Sequence, residues 1–252
     1  MILLRRFMMN KILFDKKYPA VILLVAFMFI SPQIITQNMV IGSDAIFHFN
    51  RFFDVSEQIK NRNFEYFISI YGFQQSGRIV NALYGPFLAY FHGLLVLISK
   101  NWFVYQILSN FILYNLAGFS MYKFLASGNI SHKKSLMGSL PYMCTFSILY
   151  WSTRQGFSSW GAAVMPLCLS LIFYVLEEKK VPKFRLGISV ALLFQIHTLS
   201  AFMLVLIFMP IFMFAFCKSN QKFSFFLRYD SRNWFICFVN DEYLVCVHSS
   251  DW

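Results

Sequence analysis

Charge is what this chain has least of. Only 13% of its 252 residues are Asp, Glu, Lys or Arg, where a soluble domain carries roughly a quarter, so an ordinary water-exposed globular surface is excluded. Cysteine is sparse as well. Cys144, Cys168, Cys217, Cys237 and Cys246 form no C-x-x-C pair, which argues against zinc or redox motifs and leaves them as expected small core residues. The sequence also lacks G-x-G-x-x-G, a Walker lysine loop, H-E-x-x-H and G-x-S-x-G, so nucleotide chemistry in a water-filled domain is not expected.

Apolar residues fill the space that charge leaves: 58% of the chain is hydrophobic, 20% is aromatic and the mean hydropathy is +0.56. Residues 18–35 carry no ionisable group except the Tyr18 phenol, and at about 1.5 Å per residue they nearly cross a bilayer core of about 30 Å. Arg5, Arg6, Lys11, Lys16 and Lys17 precede this run, the flank expected on the cytoplasmic side. The run leaves through Ser31-Pro32-Gln33 with no A-x-A exit, so it reads as a retained anchor rather than a cleaved signal. The net charge of +11 then reads as topology signals and affinity for anionic membrane lipids, with no nucleic-acid partner.

Further apolar runs cover 83–99, 102–125, 136–151, 160–176 and 186–217. One crossing per run would put most Lys and Arg outside, against the positive-inside rule. Laying 83–99 along the outer interface reverses the balance, and Gly85-Pro86 at its start with His92-Gly93 within it suit an interfacial helix better than a spanning one. The run 186–217 is too long for one crossing and carries Gln195, His197, Thr198 and Ser200 near its middle, which predicts a helical hairpin with an outer polar turn. The expected architecture is all-α: a polytopic transmembrane helix bundle of about six membrane segments. Residues 1–17 form a basic cytoplasmic N-terminus, 18–217 the transmembrane module with an outer loop at 37–82, and 218–252 an irregular tail. In this topology Ser56 lies outside and Ser135 inside.

The candidate chemistry begins just past the first span, at Gly42-Ser43-Asp44-Ala45-Ile46-Phe47-His48-Phe49-Asn50-Arg51. Helical spacing would gather a carboxylate, an imidazole and a guanidinium on one face. Asp44 reads as a general base or a ligand to a divalent cation; it reads equally as a helix N-cap. His48 is the second catalytic candidate, the alternative being a half-wet interfacial side chain. Arg51 suits bidentate phosphate binding or pairing with Asp44, Asp54 or a lipid headgroup. Asp54, Glu57, Lys60 and Arg62 read as a solvated charged face. Arg154 suits a lipid phosphate or headgroup snorkelling, and His197 suits either substrate binding at the outer turn or a satisfied histidine within the bundle.

The pattern Gly42-Ser43-Asp44-x-x-Phe47-His48-x-x-Arg51 resembles the G-x-D-x-x-F-H-x-x-R entry of bacterial polytopic membrane proteins of glycosyltransferase-C-like architecture. The nearest group is the "6-pyruvoyl-tetrahydropterin synthase related" membrane proteins, akin to the YfhO-like family. Tyr84-Gly85-Pro86 resembles that group's Tyr-Pro element, the stretch from Arg154 to Pro166-Leu167 resembles its outer-loop segment, and His197 resembles its Ser/Thr-His turn. The resemblance covers about residues 10–217. It implies a multi-pass protein of the bacterial cell membrane that transfers a sugar from a polyprenyl-phosphate donor on the outer face, with Asp44 as base or metal-linked residue. A non-enzymatic lipid or glycan carrier is the competing expectation. Two departures stand out. Ser158-Ser159-Trp160 occupies the place of the family's second acidic residue, and family members are much longer, so the expectation is an N-terminal half whose tail is truncated or frameshifted and whose 252-residue form is inactive.

Overall fold

The computed structural model describes residues 17–42, 44–81, 83–178 and 183–218, together with the strand segments Phe225–Phe226, Tyr229–Asp230, Asn233–Asn240 and Tyr243–His248. The basic N-terminal flank up to Lys16 lies outside the described residues. From Lys17 to Lys218 the fold is all-α: α1 (Lys17–Thr36), α2 (Ala45–Asn61), α3 (Pro86–Ser99), α4 (Trp102–Ser127), α5 (His132–Met143), α6 (Ser158–Leu169), α7 (Leu171–Glu178), α8 (Lys183–Ile196) and α9 (Thr198–Lys218). In the stretch expected to be irregular, Asn233–Asn240 pairs antiparallel with Tyr243–His248, consistent with the aromatic and β-branched residues concentrated there.

Among the described helices, α1 alone has the length and apolarity of a membrane span; Pro86–Ser99, Ser158–Phe173, Phe184–Ile196 and Thr198–Met213 are apolar but shorter. The 26-residue α4 is long enough, yet it buries Gln106, Ser109 and Asn110 on one face and Asn115 on another. The expected single runs 136–151 and 160–176 are each broken, the first after Met143 and the second after Leu169. Each of these helices holds a proline in its last turn, Pro141 or Pro166, which removes one i→i−4 bond from that turn. The run 186–217 breaks at His197 into the expected helical hairpin α8–α9.

Contacts sort the helix ends into two groups. Tyr18 at the start of α1 stacks on Tyr122 near the end of α4 and on His132 at the start of α5, with ring centroids 6.3 and 5.9 Å apart. At the opposite end, Gly42 lies against the Arg154 backbone, Gly85 against the Gln195 backbone, and Phe49 of α2 stacks on Trp102 at the start of α4 at 5.0 Å. Helices α2 and α3 therefore stay at that second end. Gly118 is needed where α1, α4 and α5 cross, since a Cβ there would lie 2.8 Å from Met143 Sδ.

A ladder of amides ties the second end together. Gln106 Nε2 donates to the Val40 carbonyl at 2.7 Å, and Gln106 Oε1 accepts from the Val40 N–H at 3.0 Å and from Gln33 Nε2 at 2.8 Å. Gln155 Nε2 donates to Asn110 Oδ1 at 3.3 Å, and Tyr114 pairs with Ser152 at 2.7 Å. These bonds fix the segment leading into Asp44 and the turn carrying Arg154 to the same face of α4. Cys168 is buried as expected but Cys144 is exposed, a correction: it follows directly on the end of α5, where the chain turns outward. The side chains of Cys217, Cys237 and Cys246 lie outside the described residues.

Candidate functional site

All five sequence-predicted site residues lie at this second end. Asp44 takes the N-cap position of α2, where its carbonyl accepts from the His48 N–H at 3.1 Å. Its side chain makes no cap bond and is exposed, so the capping expectation holds for the main chain and not for the carboxylate. Among the described residues, no group of three or more His, Cys, Asp or Glu side chains is gathered that would hold a metal. Asp44 is thus not part of such a group among the described residues.

One turn on, His48 is enclosed by aromatic rings, with centroid distances of 4.8 Å to Phe157, 5.2 Å to Phe47 and 6.0 Å to Phe52 and to Tyr84. Its Nδ1 is buried without a hydrogen-bond partner. Burial, reinforced by the charges of Arg51 and His197, lowers its pKa from 6.5 to about 4. Folding thus keeps the ring neutral. Below pH 6.5 the unfolded chain takes up a proton that the folded site refuses until about pH 4, so stability present above 6.5 is lost as pH falls through that window. Fully buried His92 is held neutral in the same way and shares the effect. Melting temperatures should fall between pH 6.5 and pH 4, and His48→Phe, which keeps a ring without the titration, should flatten the decline; an unchanged slope would remove His48 from the acid response.

Arg51 is only 2% exposed, and the structure uses it as a clamp. Its Nε donates to Asn81 Oδ1 at 2.8 Å, and its Nη2 donates to the Tyr84 and Gly85 carbonyls at 3.0 and 2.6 Å. The pairing with Asp44 or Asp54 allowed by the sequence is not formed; the partners are neutral oxygens of the segment entering α3. Burial lowers its pKa to about 10, which leaves it a cation at neutral pH. Gly85 is needed because a Cβ at that position would run into the Gln195 backbone, and through it the clamp reaches the turn at His197.

Arg154 is exposed, with its guanidinium 4.6 Å from the centroid of the Tyr150 ring. A Cβ on Gly42 would lie 3.4 Å from the Arg154 carbonyl, so this turn adjoins the segment leading into Asp44. His197 Nδ1 accepts from the Ser200 N–H at 3.3 Å and lies 2.8 Å from Ser200 Oγ. Its proton, in the neutral form, therefore sits on Nε2. Ser159, within the Ser158-Ser159-Trp160 stretch, is buried with its hydroxyl donating to the Gly156 carbonyl at 3.0 Å.

Asp54 overturns the expected solvated face. It is fully buried, and its Oδ1 accepts from the Tyr71 and Gly72 N–H groups at 2.7 and 2.9 Å while Oδ2 accepts from Gln58 Nε2 at 2.8 Å. Glu57 and Lys60 do reach the surface, where they pair at 3.2 Å. Asn50, Asn81, Phe157 and Asp54 were not singled out as candidates by sequence reasoning, because each acts across a loop that has no periodicity to read. No family model, no curated protein and no solved structure matches the chain.

Proposed function

We propose that the chain is a multi-pass protein of the bacterial cell membrane, glycosyltransferase-C-like, whose outer-face site transfers a sugar from a polyprenyl-phosphate donor. The observation that carries this reading is a carboxylate free of its cap, Asp44, seven residues before a buried guanidinium, Arg51, that has only neutral partners. An uncompensated buried cation favours an anionic ligand, and the exposed Arg154, whose backbone adjoins Gly42, supplies a second cation from the neighbouring turn. In the transfer, the acceptor hydroxyl gives its proton to Asp44 as its oxygen bonds to the anomeric carbon. The bond from that carbon to the phosphate oxygen breaks, and polyprenyl phosphate leaves with the electron pair, its charge offset by the arginines. His48, neutral and enclosed, serves as a hydrogen-bond partner rather than a proton carrier, and the Nε2 proton of His197 is available to a substrate oxygen.

In the complete protein, Asp44→Asn should lower transfer by roughly 10²–10⁴-fold with expression and membrane insertion intact, because the carboxylate makes no hydrogen bond among the described residues. Unchanged transfer would remove Asp44 from the mechanism. A carrier that binds lipid-linked glycan without turnover has one observation in its favour, the helix break at His197 between α8 and α9, since transporters place polar residues at broken helices. Bilayer translocation without sugar release would select it.

The multi-pass topology rests on outward-facing apolar side chains, such as Leu24, Phe27 and Met28 on α1 and Phe202, Leu206 and Met213 on α9, and on the segregation of helix ends. With its 14 residues, α3 measures about 21 Å, too short to cross and suited to the outer interface. Ser56 and Ser135 are both buried, so the reporters of sidedness are the exposed Asn63 and Lys134. In a chain with its native cysteines replaced by alanine, Asn63→Cys should react with an impermeant maleimide on intact cells and Lys134→Cys should not. Labelling of Lys134→Cys from outside would overturn the topology.

A further inference from the structure

Phe73, Gln74 and Gln75 form a left-handed turn, with φ of 52°, 57° and 60°. L-residues resist this conformation, and three in succession without glycine persist only where the surroundings impose it. Here α2 does so. Asn50 Oδ1 accepts from the Phe73 N–H at 3.3 Å, and Asp54 holds the two preceding amides. A Cβ on Gly72 would lie 2.6 Å from the Asn50 carbonyl, so the loop is seated directly on the helix that begins at Asp44.

The turn sets two unlike surfaces side by side. Phe73 packs against Phe47 with centroids 5.4 Å apart, and Phe47 packs against Tyr84 at 5.5 Å. The Arg78 guanidinium lies 5.3 Å from the Phe73 centroid. Gln74 and Gln75 are exposed, and among the described residues their amides have no hydrogen-bond partner. A hydrophobic collapse would have hidden these side chains or replaced them; a strained turn that shows two primary amides beside an aromatic cluster matches the two-sided chemistry of a sugar. The C–H face of a pyranose packs on aromatic carbon, while its hydroxyls need donors and acceptors in a plane beside it, and an amide supplies both.

We propose that Phe73–Gln75 and the Phe47–Tyr84 rings form a subsite for a neutral saccharide, the acceptor end of the reaction. The inference rests on the transfer reading for the word acceptor but not for the binding itself. The site adjoins the Arg51–Arg154 end, where a phosphate is expected, and shares with it the first turn of α2 and Tyr84, whose ring centroid lies 5.5 Å from the Arg51 guanidinium.

Saturation-transfer NMR on the full chain in lipid nanodiscs tests it, with methyl glucopyranoside, methyl galactopyranoside and diacetylchitobiose as probes. At least one should receive saturation from the native protein. Gln74→Ala/Gln75→Ala should weaken that sugar about tenfold, and Gln74→Gly should weaken it while raising Tm, because glycine relieves the positive φ. Equal binding by the double variant, or no saturation of any probe by the native protein, would overturn the proposal. Saccharide binding by a complete native protein that transfers no sugar would sink the transfer reading and leave the saccharide site standing.

Discussion

Arg51→Met should destabilise the outer module by roughly 3 kcal/mol, enough to lower its melting temperature by many degrees. The guanidinium makes three bonds, to Asn81, Tyr84 and Gly85, and bonds from a charged donor contribute about 1.5–3 kcal/mol each. Against this stands the cost of keeping a cation out of water, several kcal/mol per ion, which methionine would relieve. The bonds win because removing the donor also strands their acceptors: the Asn81 amide oxygen is buried, and the Gly85 carbonyl sits at the entry to α3. Arg51→Lys should fall between the two, since an ammonium restores the charge but cannot span a side-chain oxygen on one side and two carbonyls on the other. Fluorescence-monitored melting in detergent distinguishes this from a purely ligand-binding role. If Arg51 serves only a phosphate, Arg51→Met will melt with the native protein and lose donor binding alone.

That double use explains which parts of the site were legible in the sequence. The anchor, the hairpin break at His197 and the short α3 follow from runs of apolar residues and the polar or glycine residues that interrupt them, and these are local signals. Spacing along one helix gathers Asp44, His48 and Arg51, but His197 joins them through the contact of Gly85 with Gln195, two positions far apart in the chain. Asp54 looked solvated because three of its neighbours along α2, Glu57, Lys60 and Arg62, are charged and reach water. Its own side chain is satisfied by backbone amides of a loop, and no residue type in that loop announces a free N–H. The left-handed turn was hidden for a related reason: glycine flags positive φ, whereas Gly72 and Gly77 only flank this turn and the strained residues themselves are Phe and Gln.

Asp54 is therefore where structure and site meet, and its variants should be graded. Asp54→Ala leaves the Tyr71 and Gly72 N–H groups and the Gln58 amide without their acceptor in a buried setting; at about 1 kcal/mol or more per orphaned group, the loss is roughly 3 kcal/mol. Asp54→Asn keeps an oxygen for the two backbone amides and places an NH₂ against the Gln58 donor. Gln58 cannot rotate its amide to escape, because its Oε1 accepts from the Glu65 N–H at 3.1 Å, so one bond is lost and the cost is about 1 kcal/mol. The same order should appear in function: with the Tyr71–Gly72 amides released, only the Asn50 side chain still holds the turn through the Phe73 N–H, and Phe73–Gln75 should relax toward ordinary backbone. Hydrogen exchange reads both steps at once. Amides 71–73 should exchange at native rates in the native protein, faster in Asp54→Asn and fastest in Asp54→Ala, with the saccharide signal falling in parallel. Retention of that signal in an Asp54→Ala protein whose loop amides exchange freely would mean that the left-handed turn has no part in sugar binding.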